Sequence, residues 1–247
     1  MIHWKIISSS LQRRKNDMAH LLKLELKKFG VMRNIIFTFA AILFSIFFLT
    51  VSLVDSMTDP QQTKDSFDST FLVTGLLIMM IFLVYASVLT AHTVIAEYNQ
   101  KTITIMFSYP VNRRQLIAAK LILIMVYTAL SMAAAYLCCC GYIIAADKAF
   151  DMLDGTFQPV FLQTWIPSAA ISIIICTVLS LWPFIIGMVR KSVPAAIITS
   201  LLTIFLRQLM ISKNSTYQES LLQVCLVTGI TAVFTFHAFK KNVPQIY

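Results

Sequence analysis

The chain reads as an all-α integral membrane protein of six transmembrane helices, preceded by an amphipathic interfacial helix, with both termini cytoplasmic. Three observations predict this. Apolar residues fill 58% of 247 positions and charged residues only 13%, with a mean hydropathy of +0.77; a soluble domain carries roughly 25% charge. The apolar residues fall into runs near the ~20 residues that cross a ~30 Å hydrocarbon layer. The basic residues between those runs sort to one side. A β-barrel would need alternating segments of ~10 residues, and none occur. Six glycines and no internal repeat speak against a soluble nucleotide-binding fold.

Residues 1–34 form a cytoplasmic basic segment. Leu21, Leu22, Leu24 and Leu26 interleave there with Lys23, Glu25, Lys27 and Lys28, and Leu22, Glu25, Leu26 and Phe29 share a helical face. A basic helix lying in the interface would bury such leucines while Lys27 and its neighbours meet headgroups. An ordinary basic flank that fixes topology fits the same residues. Gly30 marks a bend into the first span. Because 34 mostly polar residues precede the first apolar run, no cleavable signal peptide is expected.

The transmembrane domain covers residues 35–239, with a tail at 240–247. The spans run from Ile35 to Val54, Phe71 to Ala96, just after Lys120 to Ala146, Gln163 to Val189, Val193 to Leu206 and Leu221 to Phe239. The fifth is short for a crossing, so it tilts, breaks or leans on neighbours. Trp182-Pro183 predicts a kink in the fourth. Cys138, Cys139 and Cys140 sit consecutively in the third, where small packing residues are at home. The five cysteines form no disulfide framework.

With the amino terminus inside, sixteen of the twenty Lys and Arg face the cytoplasm, and eight of the eleven Asp and Glu face outward. That asymmetry sets orientation and suits anionic lipid; it does not indicate nucleic acid. Arg207, near the outer end of the fifth span, is expected to snorkel outward. His92 is expected to be packed and hydrogen-bonded in the second span rather than a proton relay.

The longest polar interlude among the spans is Glu97 to Lys120, on the cytoplasmic side. Glu97 closes the second helix, where its charge opposes the macrodipole and wants a cationic partner such as Arg113 or Arg114. Between Thr102 and Tyr109 there is room for about two helical turns. Pro110 ends them, and Asn112 with Gln115 resembles a capping pair starting the third helix. Ile103, Ile105, Phe107 and Tyr109 alternate, while Ile103, Met106 and Phe107 share a helical face. Either way, apolar side chains face the cytoplasm and want a partner. Arg113 and Arg114 also fit a bland reading as topology markers.

The order Glu97, Lys101-Thr102, Ser108-Tyr109-Pro110-Val111, Arg113-Arg114 and Lys120 resembles the first cytoplasmic loop of type-two ATP-binding-cassette export permeases. Lys101 stands where that family commonly has Gly, and Asn112 where it has Ser; Lys101-Thr102 is similar to the lantibiotic-immunity and bacitracin-resistance branch. The resemblance implies a transport subunit without catalysis in the bacterial cytoplasmic membrane. Its partners would be two copies of a cytoplasmic ATPase, a second permease (the same or a related chain) and membrane lipids. The coupling loop, residues 97–115, would dock on the ATPase through Glu97, Thr102, Ile103, Met106, Phe107, Tyr109, Pro110, Arg113 and Arg114. No cofactor is implied in this chain; ATP and Mg would sit on the ATPase. The chain accordingly lacks a GxxxxGK[ST] phosphate loop.

The alternative is an ion- or proton-coupled secondary transporter, or another polytopic protein without an ATPase. Such a transporter normally carries carboxylates within its spans, and here no Asp or Glu lies in an apolar core. His3, His20, His92 and His237 offer no metalloenzyme spacing. The outer loops after the first and third spans are acidic: Asp55, Asp59, Asp65 and Asp68 against Lys64, then Asp147, Asp151 and Asp154 against Lys148. A negative rim concentrates cationic amphiphiles, so a membrane-active peptide antibiotic is one expected substrate. Acidity by default, from loops depleted of Lys and Arg, is the other explanation.

Overall fold

The computed structural model describes residues 30–58, 67–95, 113–150, 160–190, 192–210 and 225–235. The interfacial residues Leu22, Leu26, Lys27 and Phe29, the loop residues Glu97 through Pro110, and the tail at 240–247 lie outside the described residues.

Among the described residues seven α-helices follow in order: α1 (Val31–Thr58), α2 (Phe67–Thr90), α3 (Arg113–Phe150), α4 (Val160–Leu179), α5 (Leu181–Arg190), α6 (Val193–Met210) and α7 (Cys225–Thr235). Gly30 takes φ = +63°, a left-handed conformation that only glycine adopts cheaply, so the chain turns into α1 where the sequence predicts a bend. α3 begins at Arg113, directly after Asn112. Its 38 residues extend about 57 Å at 1.5 Å per residue, well beyond a hydrocarbon layer. Lys148 in its last turn complements the helix dipole, as Asp68 does in the first turn of α2.

The fourth span is two helices. Pro183 has no N–H to offer the Leu179 carbonyl, and its ring crowds that carbonyl. The helix accordingly breaks at Ser180, whose hydroxyl donates to the Thr177 carbonyl at 2.7 Å. Pro167, in the second turn of α4, leaves that helix intact. The fifth span, expected to be short, runs four residues beyond Leu206 to Met210.

α2 is the centre of the bundle and packs against α1, α3, α4, α5 and α6. Its Ile78, Phe82 and Leu83 meet Met132, Ala135 and Cys139 of α3 and Ile175, Cys176 and Leu179 of α4 in the main core. Cys139 and Cys140 are buried packing residues, as expected, whereas Cys138 is exposed. Phe67, Phe71, Cys140 and Ile143 close one end, and Leu89, Leu121, Ile124, Phe184 and Ile185 the other.

α1 lies on the periphery. Ile36, Phe39, Phe44 and Phe47 are exposed, which suits lipid. Polar contacts seat it: Thr38 shares a 2.6 Å hydrogen bond with Tyr127, and Thr50 one of 2.6 Å with Tyr142.

Candidate functional site

Two polar constellations stand out in this apolar bundle. One lies where α2 ends, immediately before the stretch expected to couple to an ATPase. Beyond Thr90 the helix widens into a π-helical turn, Ala91–Ile95. Such turns insert one residue and recur at functional positions. Thr90 and Thr93 direct their hydroxyls back to the Ala86 and Leu89 carbonyls at 2.8 and 2.6 Å. Lys120, only 5% exposed, crosses from α3 and donates its ammonium to the Thr93 carbonyl at 3.3 Å.

The same turn is held from two further sides. Ala91 packs on Ala196 of α6, with Val193 beside them, and α5 abuts the turn as well. A displacement of the turn would therefore meet α3, α5 and α6 together. His92 is not packed as expected. The buried face passes through Leu89, Thr90 and Ala91, and His92 falls on the outward side.

The second constellation lies on α6. Ala196, Thr199, Ser200, Thr203 and Arg207 share one face at helical spacing, and all are buried. The apolar residues Ile198, Leu201, Leu202, Phe205 and Leu206 point outward. This inside-out pattern corrects the expectation for Arg207, which does not snorkel outward: it is 8% exposed, and its Nε has no hydrogen-bond partner among the described residues. Helix geometry explains why. The Cα–Cβ bond tilts toward the helix amino terminus, which for α6 is the cytoplasmic end on the orientation set by the basic residues. That tilt aims Arg207 away from the outer headgroups, and its place one turn beyond Thr203 sets it on the inward face.

Tyr136 of α3 and Cys176 of α4 lie within electrostatic reach of the guanidinium. The Tyr136 ring also meets Trp165 edge-on at 5.7 Å, and Trp165 meets Phe71 at 5.0 Å.

Of the sequence-predicted coupling residues, Arg113 and Arg114 form the start of α3. Glu97, Thr102, Ile103, Met106, Phe107, Tyr109 and Pro110 lie outside the described residues. Sequence reasoning missed the Lys120–Thr93 contact, although Lys120 belonged to the motif. It also missed the burial of Arg207. The signal was present in Thr199, Ser200 and Thr203, which mark the inward face of a helix that is apolar elsewhere.

A bundle with hydroxyls and cations turned inward and large apolar side chains turned outward is a polytopic integral membrane protein. Among the described residues, four helical stretches are long and apolar enough to cross a membrane. The family model for ABC-2 family transporter proteins matches residues 21–206, and the chain belongs to that family. It is the multi-pass membrane permease component of an ABC transporter in the cytoplasmic membrane, and membership implies partnership with an ABC ATPase subunit. A relative, the uncharacterized protein YcbO of Bacillus subtilis (strain 168), is 27% identical over 187 residues, 76% of this chain and 82% of that protein. No solved structure matches the chain.

Proposed function

We propose that this chain is the permease subunit of an ATP-driven exporter that moves a hydrophobic or amphipathic substrate across or out of the membrane. It works with a second permease, the same or a related chain, and with two copies of a separate ATPase that holds ATP and Mg. The stretch 97–115 is the coupling element.

The observation that carries this reading is the Lys120 clamp. The helices that flank the coupling stretch, α2 at its π turn and α3 at its eighth residue, are tied by the 3.3 Å bond from Lys120 to the Thr93 carbonyl. The turn in turn packs on Ala196 of α6. A pull on the stretch thus reaches both halves of the bundle. The acidic outer loops and the likeness to lantibiotic-immunity and bacitracin-resistance permeases favour an antimicrobial peptide as cargo.

The test is to replace Phe107 or Tyr109 with Asp, which places a charge in the proposed docking surface at a cost of several kcal/mol if buried unpaired. Both variants should insert normally and lose the copurifying ATPase. Wild-type association in both would show that this stretch is not the docking element.

A further inference from the structure

The family reading leaves Arg207 without a role. Among the described residues it is the cation buried far from the cytoplasmic end of the bundle. It lies fourteen residues beyond Val193, about 21 Å along the helix axis. A charge at such depth is seldom kept without a counter-charge or a task. No carboxylate among the described residues faces it, and its Nε is buried without a hydrogen-bond partner.

The hydroxyls nearest along α6 do not compete for a ligand with their protons. Thr203 donates to the Ser200 carbonyl at 2.8 Å and Ser200 to the Ile197 carbonyl at 2.7 Å. The Tyr136 hydroxyl donates to the Gly75 carbonyl at 3.4 Å. Among the described residues, the guanidinium therefore keeps its Nε–H unspent. Its planar fork matches the oxygen pairs of a carboxylate or a phosphate, and as a weakly hydrated cation it suits a buried position. Beside it, the buried rings of Tyr136 and Phe71 hold the half-buried indole of Trp165, whose remaining face is the apolar surface a hydrocarbon chain could meet.

We propose that Arg207 is the anion-recognising residue of a membrane-embedded site that takes the acidic head, phosphate or carboxylate, of an amphiphile whose apolar part lies against Trp165. The proposal narrows the substrate class of the exporter reading and rests on that reading only in calling the ligand cargo. A peptide would present a carboxylate here, whereas a purely cationic amphiphile would be turned away.

The test uses the full chain in maltoside micelles, without ATPase or ATP, with bound ligand counted by native mass spectrometry. Dodecyl phosphate and dodecanoate should bind about tenfold or more tightly than dodecyltrimethylammonium or dodecanol, as a charge-assisted hydrogen bond implies. Arg207→Gln should remove that preference, and Arg207→Lys should retain part of it. Thr203→Asp supplies a variant that keeps the arginine. It places a carboxylate one turn away on the same face, which should occupy the guanidinium and abolish anion binding while the neutral ligand binds as before.

Phosphatidylglycerol in place of the alkyl phosphate separates a resident lipid from a smaller amphiphile as the source of the anion. Absence of a preference for anions in the wild-type chain, or an undiminished preference in Arg207→Gln or Thr203→Asp, would overturn the proposal. Because the ATPase plays no part in the measurement, either result is independent of whether the coupling stretch docks as proposed.

Discussion

The kink in the fourth span should be measurable through the hydrogen bond it presents to α7. Trp182, directly before Pro183, donates its indole N–H to the Thr231 hydroxyl at 3.0 Å, and its ring lies 6.0 Å from Phe234. Thr231 is buried, and its own proton goes to the Val227 carbonyl at 2.6 Å, which leaves an oxygen lone pair for the indole. Trp182→Phe removes the donor and keeps an aromatic ring; Thr231→Val removes the acceptor at nearly constant shape.

Each single change carries extra costs, a cavity in one case and the lost Val227 bond in the other. The double-mutant cycle cancels both, because each cost is present in both backgrounds. Interhelical hydrogen bonds in membranes average about 0.6 kcal/mol, with a maximum near 1.7. The short distance and the committed donor proton place this one at about 1 kcal/mol, roughly a fivefold change in the ratio of folded to unfolded protein. Steric trapping of the four proteins in bicelles would read that coupling energy. A value within about 0.2 kcal/mol of zero, well below the membrane average, would refute the claim that this contact seats α5 on α7.

Three further outcomes are expected. Lys120→Met keeps side-chain volume but removes a charge-assisted bond worth about 1.5–3 kcal/mol; ATPase should still copurify while ATP-driven transport falls, and unchanged transport would detach the clamp from coupling. Gly30→Ala should destabilise by about 1 kcal/mol, the cost of the left-handed conformation, since nothing lies within 4 Å of the added Cβ. Gly141→Ala in α3 meets equally open space and should stabilise slightly; equal thermal shifts in the two variants would contradict this. Single cysteines at Asp65 and Asp151, in a chain lacking the native five, should react with impermeant thiol reagents from outside, and those at Arg13, Thr104 and Lys191 should not. External labelling at Thr104 would invert the topology and remove the coupling argument.

Much of the architecture was legible before the structure. The bend at Gly30 and the break ahead of Trp182-Pro183 were both readable from local chemistry. A left-handed glycine and a missing backbone donor act within a turn of themselves. Helix limits were less legible. α2 begins four residues before Phe71 and α6 ends four beyond Leu206, because a hydropathy window stops where polar residues begin and a helix need not.

The sequence by itself determined the membrane class and the order of the apolar helices, since apolar length is a property of single segments; the placement of Lys and Arg predicts their orientation. Tertiary structure decided which apolar side chains of each helix face inward, and only a polar stripe such as Thr199, Ser200 and Thr203 marks that face in the sequence. In water an apolar stripe names the buried face; in lipid, apolar side chains are equally at home outside, and the pattern loses that information. Ile198, Leu202 and Phe205 on α6 therefore turn outward, while Thr199, Ser200 and Thr203 turn in and carry Arg207 with them. The contact of Lys120 with Thr93 has the same origin. It joins the ends of two helices across twenty-seven positions of chain, and only packing α2 against α3 brings that ammonium to that carbonyl.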